Sequence, residues 1–138
     1  MKEITLQATL ENTAVVTAFA EQWLTELGCP VKALMQINIA IDELFSNIAR
    51  YAYPTGVGDA TVRLETAEDL SEIRISFIDS GVPYDPLLRK DPDVTLSSED
   101  RAIGGLGIYM VKKSMDSVSY EYKDGCNCIT IVKKISRG

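Results

Sequence analysis

The chain contains no histidine in 138 residues. That absence removes every Ser-His-Asp and Cys-His nucleophile pair, and no phosphohistidine can form on this chain. Any general base must be a carboxylate, a lysine or a tyrosine. Cysteine is scarce: Cys29, Cys126 and Cys128 are an odd, sparse set that argues against a disulfide framework. A closed zinc site needs four ligands, so Cys126-Asn127-Cys128 reads better as strand thiols than as a metal site. Basic clusters are also lacking. With 14 Lys and Arg against 20 Asp and Glu the net charge is −6. The densest basic run, Lys133-Lys134, reads as a solvated strand end. Phosphate backbones are bound by clustered cations, so nucleic acid is not an expected partner. No apolar run approaches a membrane span, and the first ten residues lack a signal peptide's apolar stretch. The expectation is a soluble cytoplasmic protein with no membrane partner.

What is present suffices for a core. The chain is 46% hydrophobic and of ordinary domain length, which predicts one domain over 1–138. Residues 3–9 alternate in polarity as a strand does. Glu11-Asn12 offer a cap to a helix carrying Val16, Phe19, Ala20, Trp23 and Leu27, which Gly28 stops. Pro30 suits the first position of a second helix, with Leu34, Ile37, Ile41, Leu44 and Ile48 as its apolar stripe to about Tyr51. Strands are predicted over 61–65 and 72–78, then a long loop over 83–103, then a glycine-rich entry to a helix over 104–115. Two last strands, 118–122 and 126–133, flank the hairpin turn Lys123-Asp124-Gly125. The order β-α-α-β-β-loop-α-β-β predicts an α+β two-layer sandwich, a mostly antiparallel mixed sheet with helices on one face. Structureless loops of that length in compact domains are functional lids or disordered.

Three groups of residues could carry chemistry. Glu43, Asn47 and Arg50 are spaced to share a face of the second helix. A carboxylate, an amide and a guanidinium in line can orient a nucleophile, ligate Mg²⁺ and meet phosphate, although such triplets also occur on solvated helix faces. Ile73, Ile75, Phe77 and Asp79 fall on one face of their strand, so Asp79 points to the side where helices pack. A carboxylate there needs a donor, which an adenine amine or a backbone N–H of an Asp-Ser-Gly turn can supply. Gly104-Gly105-Leu106-Gly107 opens a helix and can bring backbone N–H groups to an anion, or serve only as a hinge. It matches neither a Walker loop nor a dinucleotide fingerprint.

Taken together, these groups resemble the motifs of the Bergerat-fold ATP-binding superfamily. Glu43-Leu44-Phe45-Ser46-Asn47-Ile48-Ala49-Arg50-Tyr51 is similar to its first motif, Asp79-Ser80-Gly81 to its second, and Gly105-Leu106-Gly107-Ile108 to its third. The extension Asp79-Ser80-Gly81-Val82-Pro83-Tyr84-Asp85-Pro86 resembles the Asp-x-Gly-x-Pro-(Phe/Tyr)-Asp-Pro pattern of the anti-sigma factor serine kinases. Histidine-kinase domains usually carry Asp-x-Gly-x-Gly there. The resemblance covers nearly the whole chain.

By position, the resemblance implies that Asn47 ligates Mg²⁺ and that Asp79 bonds the adenine amine while Gly81 permits close approach. Gly104, Gly105, Leu106 and Gly107 would line the phosphates of ATP, and Arg50 would touch phosphate. Glu43 would be the general base. Thr130 sits where relatives place a hydroxyl near adenine, but the alternation of Cys128, Thr130 and Val132 with Ile129 and Ile131 does not fix which face it occupies. The implied activity is a serine protein kinase acting on an anti-anti-sigma factor, holding a sigma factor inactive, and working as a homodimer. Two alternatives stand beside it: a nucleotide-dependent binding module without kinase activity, and a histidine-kinase-type catalytic domain.

Overall fold

The computed structural model describes residues 1–88 and 105–135. The elements are β1 (Lys2–Gln7), α1 (Thr13–Glu26), α2 (Val31–Tyr51), β2 (Asp59–Thr66), β3 (Glu72–Asp79), α3 (Gly105–Ser114), β4 (Ser117–Lys123) and β5 (Cys126–Lys134). A 3-10 turn, Pro86–Leu88, follows β3 within the segment expected as a loop. Residues 89–103 of that loop and Gly104 lie outside the described residues.

Local chemistry accounts for the boundaries. Gly28 takes φ 76° after α1, and Cys29 N–H donates to Leu24 O while Gly28 N–H donates to Thr25 O, so two orphan carbonyls are satisfied at the helix end. Asn12 precedes α1, but its side chain does not cap the helix; Nδ2 donates to Gln7 O at 2.8 Å and ties α1 back to β1. Pro30, expected at the first helical position, sits one residue earlier: its ψ of 144° is extended, and only its carbonyl joins the helix, accepting from Leu34 N–H. At the β4–β5 turn Asp124 and Gly125 both have positive φ, the mirror-image turn that suits the twist of a two-residue hairpin.

The five strands order as β1-β2-β3-β5-β4, and every neighbouring pair is antiparallel. The mixed character expected from sequence is therefore corrected. β3 and β4 do run in the same direction, joined through α3, but β5 lies between them and pairs antiparallel with both. All three helices cover one face. Phe45, Ile37, Ile41 and Leu44 of α2 meet Val62, Leu64, Ile75, Phe77 and Ile131 of the sheet, with Val16 and Leu24 of α1 beside them, all buried. Each such side chain stabilises the fold by about 1.5–3 kcal/mol. α2 lies between α1 and α3 and packs on both. The C-terminal half of α2 therefore faces the ends of β3 and β5 on one side and the start of α3 on the other.

Candidate functional site

The site begins where β3 runs out. The strand's two-residue period turns Asp79 to the helix face, where it is only 5% exposed. Its Oδ1 accepts two hydrogen bonds, from Gly81 N–H and from Asn127 Nδ2, both at 2.9 Å. The turn itself is pinned to the end of α2. Val82 N–H donates to Ala52 O at 2.9 Å, and a Cβ on Gly81 would lie 2.2 Å from that same carbonyl oxygen. Glycine is required at 81 because backbone approaches backbone there.

Between this turn and α2 lies a small cavity. Leu44, Ile48 and Ile129 give it apolar walls, while Asp79, Asn127 and Asn47 supply polar groups. Apolar walls around a few convergent polar groups are the usual make-up of a small-molecule site. Tyr84 and Pro86 line it from the segment after β3, and Tyr84 stacks obliquely on Tyr51 with centroids 5.4 Å apart. Only about 20 Å³ is open to the centre of a water molecule. That is room for about one water, so a flat base enters only if the lining rearranges.

Glu43 and Asn47 stand one turn apart on α2. Asn47 is 5% exposed and its Nδ2 donates to Glu43 Oε1 at 3.4 Å. Gly107, in the first turn of α3, lies directly against that carboxylate: a Cβ there would be 2.1 Å from Glu43 Cδ and Oε2. The structure thus brings the first and third motifs together, a half-buried carboxylate facing the positive end of a helix. Gly105 opens α3, and Leu106 follows it on the same turn. Arg50 is exposed in the last turn of α2 and forms no ion pair among the described residues.

Thr130 is not part of this cluster. It pairs with Ser76 and Ser119, and its hydroxyl lies 3.3 Å from Ser76 Oγ on the sheet face away from the helices. The helix face of β5 carries Asn127, Ile129 and Ile131 instead, all buried. The residue that sequence reasoning missed is Asn127, directly opposite Asp79 in the β3–β5 register. Its signal was a polar residue in phase with Ile129 and Ile131, but β5 alone does not say which phase is buried.

Tyr53 braces the turn from outside. Its hydroxyl donates to Asp59 O at 2.6 Å and accepts from Ser80 N–H at 3.0 Å, while its ring packs against Gly58. Burial pushes its ionisation up; the Ser80 N–H opposes this, and the charges of Asp79 and Asp59 add to it.

With this geometry in place, comparison with known proteins is decisive. The family model described as histidine kinase-like ATPase domain matches residues 6–133. The chain belongs to this family. The match runs from β1 to β5, so it contains every residue of the site. Among curated relatives, the chain is 26% identical over 126 residues to the serine/threonine-protein kinase BtrW of Bordetella bronchiseptica, covering 88% of each chain. It is 31% identical over 107 residues to the serine-protein kinase RsbW of Listeria monocytogenes, covering 74% of this chain and 67% of the relative. With RsbW of Bacillus cereus it shares 28% over 139 residues, 98% and 85% of the two chains. Among solved structures, that of the RsbU and RsbW domains of a Mycobacterium tuberculosis protein superposes with TM-score 0.70 at 22% identity, over 100% of this chain and 34% of that one. That likeness concerns the fold.

Proposed function

We propose that this chain is an ATP-dependent serine protein kinase. Its substrate is an anti-anti-sigma protein, and it also holds a sigma factor. The observation that carries the reading is the Glu43 carboxylate seated against Gly107 at the start of α3, one turn from Asn47. Phosphoryl transfer needs positioning and electrostatics more than covalent chemistry, and this arrangement supplies both. The curated relatives named as serine kinases support it.

In this reading the adenine enters the cavity and its amine donates to Asp79. The phosphates run toward the N-terminus of α3, where backbone N–H groups and the helix dipole stabilise negative charge, with Gly104 and Gly105 allowing close approach. Arg50 approaches them from the last turn of α2. Asn47 fits a magnesium ligand: its Nδ2 is committed to Glu43, and its carbonyl oxygen, the donor type Mg²⁺ takes, has no hydrogen bond among the described residues. A Mg²⁺ held there would neutralise phosphate charge as the γ-phosphoryl leaves. Glu43 accepts the proton of the attacking serine hydroxyl, a role that contributes about 10²–10⁴-fold. The same reading has the protein working in the cytoplasm as a homodimer.

The test is incubation with γ-labelled ATP and the protein encoded beside it. Label should appear on a serine of that partner, and Glu43→Gln should bind ATP normally yet lose transfer by at least about 10²-fold. ATP binding with no labelled serine would leave a nucleotide-dependent binding module, and label on a histidine a histidine-kinase-type domain.

A further inference from the structure

Asn127 uses its whole polar capacity. An asparagine side chain offers two N–H donors and two carbonyl lone pairs. Nδ2 donates to Asp79 Oδ1 and to Val82 O, each at 2.9 Å, with Gly81 O at 3.5 Å on the edge of the same fork. Oδ1 accepts from Tyr84 N–H at 3.1 Å and from the Tyr120 hydroxyl. The side chain is 4% exposed. Its orientation is dictated by its partners, because turning the amide over would set N–H against the Tyr84 N–H and oxygen against the Asp79 carboxylate. One side chain therefore joins β3, the turn after it, the segment that lines the cavity beyond the turn, and β4.

We propose that Asn127 is the positioning residue of the base cavity, fixing Asp79 so that its second oxygen faces the base as an acceptor and thereby selecting adenine over guanine. The inference rests on the ATP-binding reading above. Asp79 lines the cavity, both of its hydrogen bonds fall on Oδ1, and Oδ2 takes none among the described residues. Adenine presents an amine donor at its six-position where guanine presents a carbonyl oxygen. A carboxylate locked as an acceptor attracts the first and repels the second. A carboxylate free to rotate could instead follow a guanine's other amine. Tyr84 N–H donates to Asn127 Oδ1, which adds a second constraint because Tyr84 lines the same cavity. Pocket shape and base choice are thus held by one amide.

The discriminating variant is Asn127→Asp, which keeps the shape and replaces the donor facing Asp79 by a second carboxylate oxygen. Two adjacent carboxylates share one proton when the pH falls, and the shared proton restores a donor to Asp79. The other titratable groups around the pair are Tyr84, Asp85, Tyr120, Tyr53 and Cys126; α2 contributes only uncharged residues to the cavity lining, with Glu43 behind Asn47. ATP and GTP affinities are measured by calorimetry on the intact protein. At about pH 8 the variant should bind ATP about tenfold or more weaker, with a reduced preference for ATP over GTP. At about pH 5.5 most of the ATP affinity should return, measured against wild type at the same pH. A loss that ignores pH and affects both nucleotides equally would mean Asn127 only supports the fold, and would overturn the proposal. If Asn127→Asp does not fold, Tyr120→Phe removes only the hydroxyl that steadies Oδ1. It should lower the ATP preference about threefold, and an unchanged preference is the overturning result. Wild type that binds no ATP would sink the parent reading, whereas wild type that binds ATP beside an unaffected Asn127→Asp would sink this one alone.

Discussion

Replacing Gly107 by alanine should separate stability from catalysis. The new Cβ would be built 2.1 Å from Glu43 Cδ and Oε2 and 2.4 Å from Oε1. Unbonded carbons settle at roughly 3.5–4 Å, so the carboxylate must retreat by about 1.5 Å. It can do so, because it is the far end of a flexible side chain. Rotating it off its preferred torsions costs about 0.5–1.5 kcal/mol. Alanine in place of glycine within α3 returns about 1 kcal/mol through helix propensity. The two terms nearly cancel, and the melting temperature should shift by no more than about 4 °C. Catalysis has no such offset. A misplacement of about 1 Å in a reacting group costs on the order of 10²-fold, which is about 2.7 kcal/mol of transition-state stabilisation. The assay measures the initial rate of label transfer from γ-labelled ATP to the partner's serine, alongside ATP affinity and a thermal melt. A folded Gly107→Ala that transfers within about threefold of wild type would show that the seating of Glu43 does not matter. Loss of ATP affinity in step with rate would instead assign Gly107 to phosphate approach.

Three further outcomes are expected. Gly81→Ala drives its Cβ to within 2.2 Å of Ala52 O and 2.6 Å of Ala52 C, backbone atoms that cannot swing aside; it should destabilise by about 1–3 kcal/mol and lower the melting temperature by several degrees. Asp79→Asn keeps an oxygen for Gly81 N–H and Asn127 Nδ2 but turns N–H toward the base; calorimetry should show ATP affinity lower by about 10–100-fold with little change in melting. Burial raises Tyr53 above its ordinary ionisation, so the folded state holds that proton more tightly than the unfolded chain. The resulting stability is complete below the unfolded tyrosine pKa near 10 and is lost as pH rises through the raised folded value. Thermal melts of wild type should therefore fall more steeply above about pH 10 than those of Tyr53→Phe, and equal slopes would contradict this.

Much of the fold was legible because its elements announce themselves locally. The apolar stripe of α2, the stop at Gly28 and the Asp124-Gly125 turn each rest on interactions within a few residues, and each element stands within about two residues of its expected bounds. Asp79's direction was legible for the same reason, since Ile73, Ile75 and Phe77 define a buried phase unambiguously. β5 defeats that logic. Val132 on one face and Ile129 and Ile131 on the other are all buried, so burial on both faces leaves the phase undetermined until the partner strand is known. Thr130 was carried into the site by position, and the β3–β5 register removes it, placing Asn127 opposite Asp79 instead. The all-antiparallel sheet was hidden for a related reason. Only the insertion of β5 between β3 and β4 decides that the pair joined through α3 never touches.

Gly81 and Gly107 show what a motif leaves out. In sequence both are glycines beside a candidate functional residue, and a resemblance assigns both to making room for nucleotide. In the fold each makes room for the protein itself: Gly81 for the Ala52 carbonyl that ends α2, Gly107 for the Glu43 carboxylate. The clashes avoided are of nearly equal size, yet the obstacles differ, rigid backbone in one case and a rotatable side chain in the other. Strain at Gly81 must therefore be borne by the fold, while strain at Gly107 is relieved by moving the proposed base. If both substitutions lowered melting alike and spared transfer alike, then Glu43 would not be the group whose placement sets the rate. The assignment of α2 and α3 as the catalytic pair would have to be abandoned even though the ATP cavity beside them remained.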